Sequence, residues 1–230
     1  MKVITELLGR VFLLVPIDEV YPKDGVYLPD VINYIGAKYT FATKTEALDE
    51  IRDKGAMFRM GKFRMAEGKE AVITDFSVPE EGLIVTAPNT DIAEAFLHDV
   101  VQTLAEVYDF RTDPITGKTF YVLSEMIVEF EDVVDRAIRS FDVISGRLSE
   151  TFMNHYGVQE PQNRFEYRTT RLDFDFNRYA VPAPLANIAP FLVEKRANQP
   201  PHQNKYFCRA PFRTQDHIRL LEEFETLLKD

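Results

Sequence analysis

Two segments of the chain share one pattern: a short apolar strand, then Ala-Pro, then an amphipathic helix. The first reads LIVTAPNTDIAEAFL from Leu83 to Leu97, and the second reads YFCRAPFRTQDHIRLL from Tyr206 to Leu221. Proline lacks the backbone N–H that strand pairing uses, so each strand is expected to end at the same point of the pattern. Helix caps are predicted at Thr90 or Asp91 in the first segment and at Thr214 in the second. A chain with this pattern folds as strands that lead directly into packed helices.

The remaining periodicity predicts an α+β fold. Amphipathic patterns predict three long helices over 91–108, 131–156 and 214–228, and most of the predicted strands follow one another along the chain. This order favours an antiparallel or mixed sheet with the helices packed on it. The two Ala-Pro segments suggest that the fold consists of two distantly similar strand-turn-helix halves. We expect one domain over 1–230, with a weak subdivision near 110–118, where Pro114 and Gly117 indicate a loop.

The composition predicts a cytoplasmic protein without a membrane partner. Cys208 is the single cysteine, which excludes an internal disulfide framework and fits a reducing compartment. No apolar run approaches the length that crosses a bilayer, and Glu6 and Arg10 interrupt the apolar stretch near the N-terminus.

Charge is unevenly distributed along this acidic chain, whose formal net charge is −10. The stretch from Glu70 to Glu160 has 5 Lys or Arg against 18 Asp or Glu, and the remainder is slightly basic. An acidic middle repels phosphate backbones, which disfavours nucleic-acid binding over the whole surface. The same segregation allows the acidic middle and the basic flanks of two copies to pair, or the chain to dock onto a protein partner.

A basic segment from Arg52 to Lys69 is the first candidate binding site. Its predicted contact residues are Arg59, Lys62, Arg64 and the interleaved Phe63, because cations bind phosphates and rings stack on bases. The methionines of the same segment offer an adaptable apolar surface for protein contacts. The alternative interpretation is a solvated strand face, which is what charge runs usually form.

The LDFDF segment from Leu172 to Phe176 is a candidate metal site. Its alternation places Asp173 and Asp175 on one face of a strand, where two carboxylates can hold Mg²⁺ or Mn²⁺ for nucleotidyl or phosphoryl transfer. These five residues resemble the carboxylate strand of the nucleotidyltransferase fold. That fold also uses a Gly-Ser turn upstream, whereas the upstream turn here reads His-Tyr-Gly-Val at 155–158. The alternative is a half-buried strand whose polar face lies in water.

The second Ala-Pro segment contains two further candidates. Arg209 and Arg213 lie near the start of a predicted helix, a combination that favours anions. Cys208 and His217 have the residue types of a nucleophile and its base, although a lone cysteine is more often a small core residue.

These patterns favour a non-enzymatic interaction protein over an enzyme, because no complete catalytic set is recognisable in the sequence. The protein would act as an oligomeric subunit, an adaptor or an inhibitor of a partner, with a protein partner or a second copy and no cofactor. One alternative is a metal-dependent transferase that uses Asp173 and Asp175 with Mg²⁺ or Mn²⁺. A second alternative is a nucleic-acid-binding protein that uses the segment 52–69.

Overall fold

The computed structural model of the chain describes residues 1–47, 49–51, 55–65, 68–116, 120–139, 144, 147–148, 150–151, 170–175, 189–196 and 203–229. Strands and helices follow one another as an α+β fold. In chain order the elements are β1 (Lys2–Leu14), α1 (Ile17–Val20), α2 (Leu28–Lys38), β2 (Thr43–Lys44), β3 (Ala56–Arg64), β4 (Glu70–Val78), β5 (Gly82–Ala87), α3 (Thr90–Tyr108), β6 (Phe120–Glu129), α4 (Asp132–Arg139), β7 (Arg171–Phe174), β8 (Phe191–Lys195), β9 (Lys205–Ala210) and α5 (Thr214–Leu227).

The strands form an antiparallel sheet, and their order has a regularity that agrees with two similar halves. The hydrogen-bonded order is β2-β3-β4-β5-β1-β6-β9-β8-β7. In the first half the neighbours run β1, β5, β4, β3, and in the second half they run β6, β9, β8, β7. Each half therefore places its first strand next to its last, and each last strand leads through Ala-Pro into a helix.

One strand extends beyond its pairing with β5, and one predicted helix is described only in part. β1 runs from Lys2 to Leu14, and its pairing with β5 involves the part from Gly9 to Leu14. The helix predicted over 131–156 is described as α4 only to Arg139, and most of the rest lies outside the described residues.

The described chain divides into two compact units. The first unit contains Glu6–Glu125 and Pro211–Asp216, and the second contains Met1–Thr5, Met126–Ala210 and His217–Asp230. The single domain expected over 1–230 stays a prediction. None of the helices in the described part of the chain is both long and apolar enough to cross a membrane.

The first unit has an aromatic core between its strands and α3. The ring of Phe96 on α3 makes edge-to-face contacts with Tyr39, Phe63 and Phe76, at centroid distances of 4.8, 5.6 and 5.5 Å. Such pairs add stabilisation beyond the apolar area that they bury. Phe96 itself is completely buried, so the middle of α3 is held against the inner face of the sheet.

Two threonines at helix starts bind each other inside the first unit. The backbone N–H of Thr90 donates to Oγ1 of Thr214 at 3.1 Å, and the N–H of Thr214 donates to Oγ1 of Thr90 at 2.8 Å. The first turn of a helix leaves N–H groups without intrahelical acceptors, and each of these helices uses the other's hydroxyl. We call this arrangement the threonine pair.

The threonine pair corrects the predicted caps. The N-cap of α3 is Asn89, whose side-chain oxygen accepts the N–H of Ile92 at 3.0 Å, so the prediction of Thr90 or Asp91 was wrong. A local pattern favours a residue that binds its own helix, whereas the Thr90 hydroxyl binds a partner 124 positions away.

The second unit has its own apolar core. Met126 and Val128 of β6, Tyr206 and Cys208 of β9, and Leu221 of α5 are fully buried in it. Glu225 of α5 is also buried; it accepts the backbone N–H of Glu131 at 2.8 Å and pairs with the amino group of Met1.

Candidate functional site

A cavity of about 700 Å³ lies within the first unit. One wall is the inner face of the sheet. Alternation along β3 and β4 points every second apolar side chain to this face, and the wall consists of Ala56, Phe58, Phe76, Val78 and Leu83. Phe58 and Phe76 stack at a centroid distance of 5.5 Å, which gives the wall a flat aromatic surface.

Helices form the opposite walls of the cavity. The apolar stripe of α2 faces it because residues three and four positions apart share one side of a helix. The helical lining consists of Leu28, Val31, Ile32 and Ile35 from α2 and of Val101 and Leu104 from α3.

Backbone hydrogen bonds fix the remaining side of the cavity. The N–H of Ile17 donates to the carbonyl of Glu80 at 2.9 Å, and the N–H of Arg111 donates to the carbonyl of Val20 at 2.8 Å. The first bond holds α1 to the turn between β4 and β5, and the second holds the segment after α3 to the end of α1. The apolar side chains on this side are Pro16, Ile17, Val20, Phe110 and Ile115, with Ile51 nearby.

Among the residues that the structure describes, the polar groups of the lining are few. They are Asp18, Tyr21, Glu80, Arg111 and Thr112, of which Tyr21 and Arg111 are half-buried and the others are exposed. Burial, and to a smaller extent the Asp18 carboxylate, raises the pKa of the Tyr21 phenol, so its hydroxyl remains a hydrogen-bond donor at neutral pH. The site therefore combines a large apolar interior with a small number of polar groups.

This arrangement is suited to binding a ligand. Ligand pockets of this size are lined mostly by apolar side chains, and a few polar groups orient the ligand. In the described residues, no group of three or more His, Cys, Asp or Glu side chains is placed to hold a metal ion. The chemistry that the cavity offers is desolvation of an apolar molecule together with a few directed hydrogen bonds.

The structure places the predicted basic site on β3. Arg59, Lys62 and Arg64 are exposed, whereas Phe63 is buried on the opposite face and contacts Phe96. Nε of Arg59 lies 3.4 Å from Oδ1 of Asp75 on β4. The three cations therefore remain accessible to a partner, while the ring of Phe63 is not available for stacking on a base.

Arg209 and Arg213 are each engaged by neighbours. The guanidinium of Arg209 lies over the Phe207 ring at 5.6 Å. Arg213 donates from Nε and Nη2 to both carboxylate oxygens of Glu94 on α3, at 2.7 and 3.0 Å. A bidentate pair of this kind orients both side chains and occupies the donors that an anion would use.

The two carboxylates of the LDFDF segment are exposed. Asp173 lies on β7 and pairs with Arg171 of the same strand, and Asp175 follows the strand end. In a metal site the Asp173 carboxylate would be available to the metal ion, whereas here it is paired with Arg171. The use of Asp173 and Asp175 with Mg²⁺ or Mn²⁺ stays a prediction.

Cys208 and His217 are both fully buried in the second unit. Burial raises the pKa of the Cys208 thiol and lowers the pKa of His217 to about 4. Nucleophilic cysteines need the opposite shift of the thiol pKa, since the thiolate is the reactive form. The environment of these two residues is that of a core.

Comparisons with protein-family models, with curated proteins and with solved structures find no match. The cavity is therefore interpreted from its own chemistry. Its lining was not singled out in the sequence because it is spread over positions 16–115 and consists of ordinary core residue types. The amphipathic stripe of α2 was the only local signal, and it does not distinguish a filled core from a hollow one.

Proposed function

We propose that this protein is a non-enzymatic binding protein that holds an apolar small molecule in the cavity of its first unit. The observation that carries the proposal is the 700 Å³ volume lined mostly by apolar side chains. Protein interiors are packed as densely as organic crystals, and voids larger than a water molecule are few. A cavity of this size leaves apolar side chains in contact with water, and an apolar ligand that fills it removes this surface from water.

The apolar wall also supports a function based on affinity rather than reaction. Transferring apolar surface from water contributes roughly 25 cal/mol per Å². An apolar ligand at one hundred times its Kd would raise the free energy of unfolding by about 2.7 kcal/mol. A stability increase of this size is readily measured.

The test compares wild type with variants whose cavity is filled. Val101→Phe and Ile32→Phe each place a ring in the volume, and Val107→Phe adds the same ring at an exposed position of α3 as the matched control. We expect wild type and the control to bind the neutral dye Nile red with a blue-shifted emission. We expect both filled variants to lose at least about tenfold in affinity, because overpacking leaves no room for the dye.

Thermal unfolding of the same variants separates loss of the site from loss of the fold. A filled variant that keeps its Tm and loses the dye supports the proposal. Wild-type dye affinity in both filled variants, or no dye binding by wild type, contradicts it.

A second candidate function is self-association through the exposed cations of β3. Met60 lies among them with its side chain 54% exposed and its backbone in the left-handed region at φ 55°. An exposed methionine beside Arg59, Lys62 and Arg64 is a combination suited to an acidic and partly apolar surface. A second copy meets the charge requirement, since the chain carries a net charge of −10.

Light scattering tests this candidate. We expect the mean mass to fall from a dimer toward a monomer as salt is raised, because surface charge pairs are screened. The double variant Met60→Gln with Lys62→Glu should be monomeric at low salt, while Lys23→Glu, at an exposed position of the first unit, should behave as wild type. A monomeric wild type at low salt rules out the candidate.

A further inference from the structure

We propose that the ligand of the cavity is an apolar molecule with a carboxylate, and that Arg111 binds this carboxylate at the edge of the cavity. The inference rests on the proposed function and adds the chemical class of the ligand. Three consecutive residues, Phe110, Arg111 and Thr112, line the cavity. The first is buried and apolar, and the second has a half-buried cationic side chain.

The position of Arg111 is set by its backbone. Its N–H donates to the carbonyl of Val20 at 2.8 Å, at the end of α1. This bond fixes the point from which the guanidinium extends, and the side chain keeps 40% of its surface exposed. The hydrogen-bonded backbone and partial burial restrict the Arg111 side chain before any ligand binds. This restriction reduces the entropic cost of binding.

The guanidinium already contacts a carboxylate that a ligand can replace. Nη2 of Arg111 lies 3.3 Å from Oδ2 of Asp113, whose side chain is 80% exposed. An exposed ion pair of this kind contributes little, because water screens it. A ligand carboxylate at the cavity edge is less solvated and can accept two parallel N–H donors from the same fork.

Two other polar residues of the lining lie next to this backbone bond: Thr112 follows Arg111, and Tyr21 follows Val20. The protonated phenol of Tyr21 is a second donor, and Thr112 offers a hydroxyl. Asp18 and Glu80 oppose an anion, but both are exposed to water, which weakens their field more than that of the half-buried Arg111. If the negative field of Asp18 and Glu80 were the stronger one, the ligand would be an amine. The experiment therefore compares a carboxylate ligand with an amine ligand.

The experiment measures displacement of Nile red at pH 7 by decanoate, decanol and decylamine, which share one chain length. We expect decanoate to bind about tenfold more tightly than decanol, as a charge-assisted hydrogen bond provides. Arg111→Gln should abolish that preference and leave decanol affinity unchanged. Asp113→Asn removes the competing carboxylate and should tighten decanoate binding, whereas Arg64→Gln, at an exposed position of β3, is the control and should change neither.

The outcomes separate the inference from the function on which it rests. Decanol binding with no preference for decanoate, or a preference that survives Arg111→Gln, overturns the inference and leaves the proposed function standing. The inference is also overturned if decylamine binds most tightly of the three compounds. In that case Asp18→Asn and Glu80→Gln should lose the decylamine binding, and Glu19→Gln and Glu81→Gln should keep it. Failure of all three compounds to displace the dye contradicts the proposed function itself.

Discussion

At the scale of single residues, the threonine pair joins two helix starts through two side chains. Thr90 and Thr214 are almost completely buried, and each hydroxyl accepts the N–H of the other residue. The two hydroxyls are also 3.1 Å apart, so one of them donates to the other. A buried N–H without an acceptor costs the full desolvation of that group, which makes each hydroxyl necessary for the other helix.

A double-mutant cycle on the threonine pair tests this dependence. We expect Thr90→Ala and Thr214→Ala each to lower the free energy of unfolding by about 1–3 kcal/mol, since each leaves one buried N–H unsatisfied. The double variant should cost less than the sum of the two, because the residues interact directly. The measurement is urea denaturation, with Thr90→Ser and Thr214→Ser as controls that keep the hydroxyls. Additive losses, or serine variants as unstable as the alanine variants, would contradict the mutual capping.

The buried His217 gives the protein a stability that depends on pH. Burial lowers its pKa to about 4 from an ordinary value of 6.5, so the folded protein keeps the ring neutral where the unfolded chain protonates it. The contribution of the neutral ring to the free energy of unfolding is therefore full above pH 6.5 and is lost as the pH falls toward 4. We expect the free energy of unfolding of His217→Leu to depend less on pH. Between pH 7 and pH 5 it should fall by about 2 kcal/mol less than that of wild type. Parallel pH profiles of the two proteins by urea denaturation would show that the ring does not titrate in this way.

At the scale of elements, β3 shows how a distortion of a strand keeps its apolar residues on one face. Phe58 and Phe63 are five positions apart, so in a regular strand their side chains would point to opposite faces. Both face the core because the left-handed backbone at Met60 shifts the alternation. Gly61 then lies against Phe41, and a Cβ there would be 2.4 Å from the ring. A side chain at this position would collide with the ring, which is the physical reason for glycine here.

The turn between β5 and α3 needs a glycine on the neighbouring strand. A Cβ on Gly9 of β1 would lie 2.0 Å from the carbonyl carbon of Asn89 and 2.1 Å from the nitrogen of Thr90. These are backbone atoms, so the turn itself would have to move, and with it the threonine pair. We expect Gly9→Ala to destabilise the protein by about 3 kcal/mol, the upper part of the range for overpacking.

The control for Gly9→Ala is a second glycine in an element. Gly36 lies inside α2, and a Cβ there meets only the flexible Lys44 side chain at 3.0 Å. Gly36→Ala should be neutral or stabilising by up to about 1 kcal/mol, because alanine favours a helix. Thermal unfolding of both variants is the measurement, and equal Tm values for Gly9→Ala and wild type would show that the turn tolerates a side chain.

Sequence periodicity predicted those elements well whose bounds depend on local features of the sequence. The strand at 83–87 and the helix at 91–108 are each within one residue of the structure, because apolar spacing and proline are local features. The threonine pair and the cavity are not local. The first joins residues 124 positions apart, and the second is a volume among side chains that alone look like an ordinary core. Neither arises from a spacing that a single sequence displays.

At the scale of the whole molecule, each unit contains segments from both ends of the chain. The first unit includes Pro211–Asp216, which brings Thr214 to Thr90 and Arg213 to Glu94. The second includes Met1–Thr5, which packs Val3 on its core and pairs the amino group of Met1 with Glu225. Each unit thus combines most of one half of the chain with a short segment from the other half. Physical separation of residues 1–116 from 117–230 would remove one of these segments from each unit.

This exchange predicts that neither half is stable alone. A protease site inserted at Gly117 allows the folded chain to be cut into 1–116 and 117–230. We expect the cut protein to keep its Tm within a few degrees and to elute as one species, since the contacts of Thr214 and of Val3 remain in place. After separation in urea, each fragment should give a poorly dispersed NMR spectrum, and mixing them should restore the native spectrum. The uncut protein with the same insertion is the control. If fragment 1–116 refolds alone and binds Nile red like wild type, the segment Pro211–Asp216 is dispensable and the exchange has no energetic role.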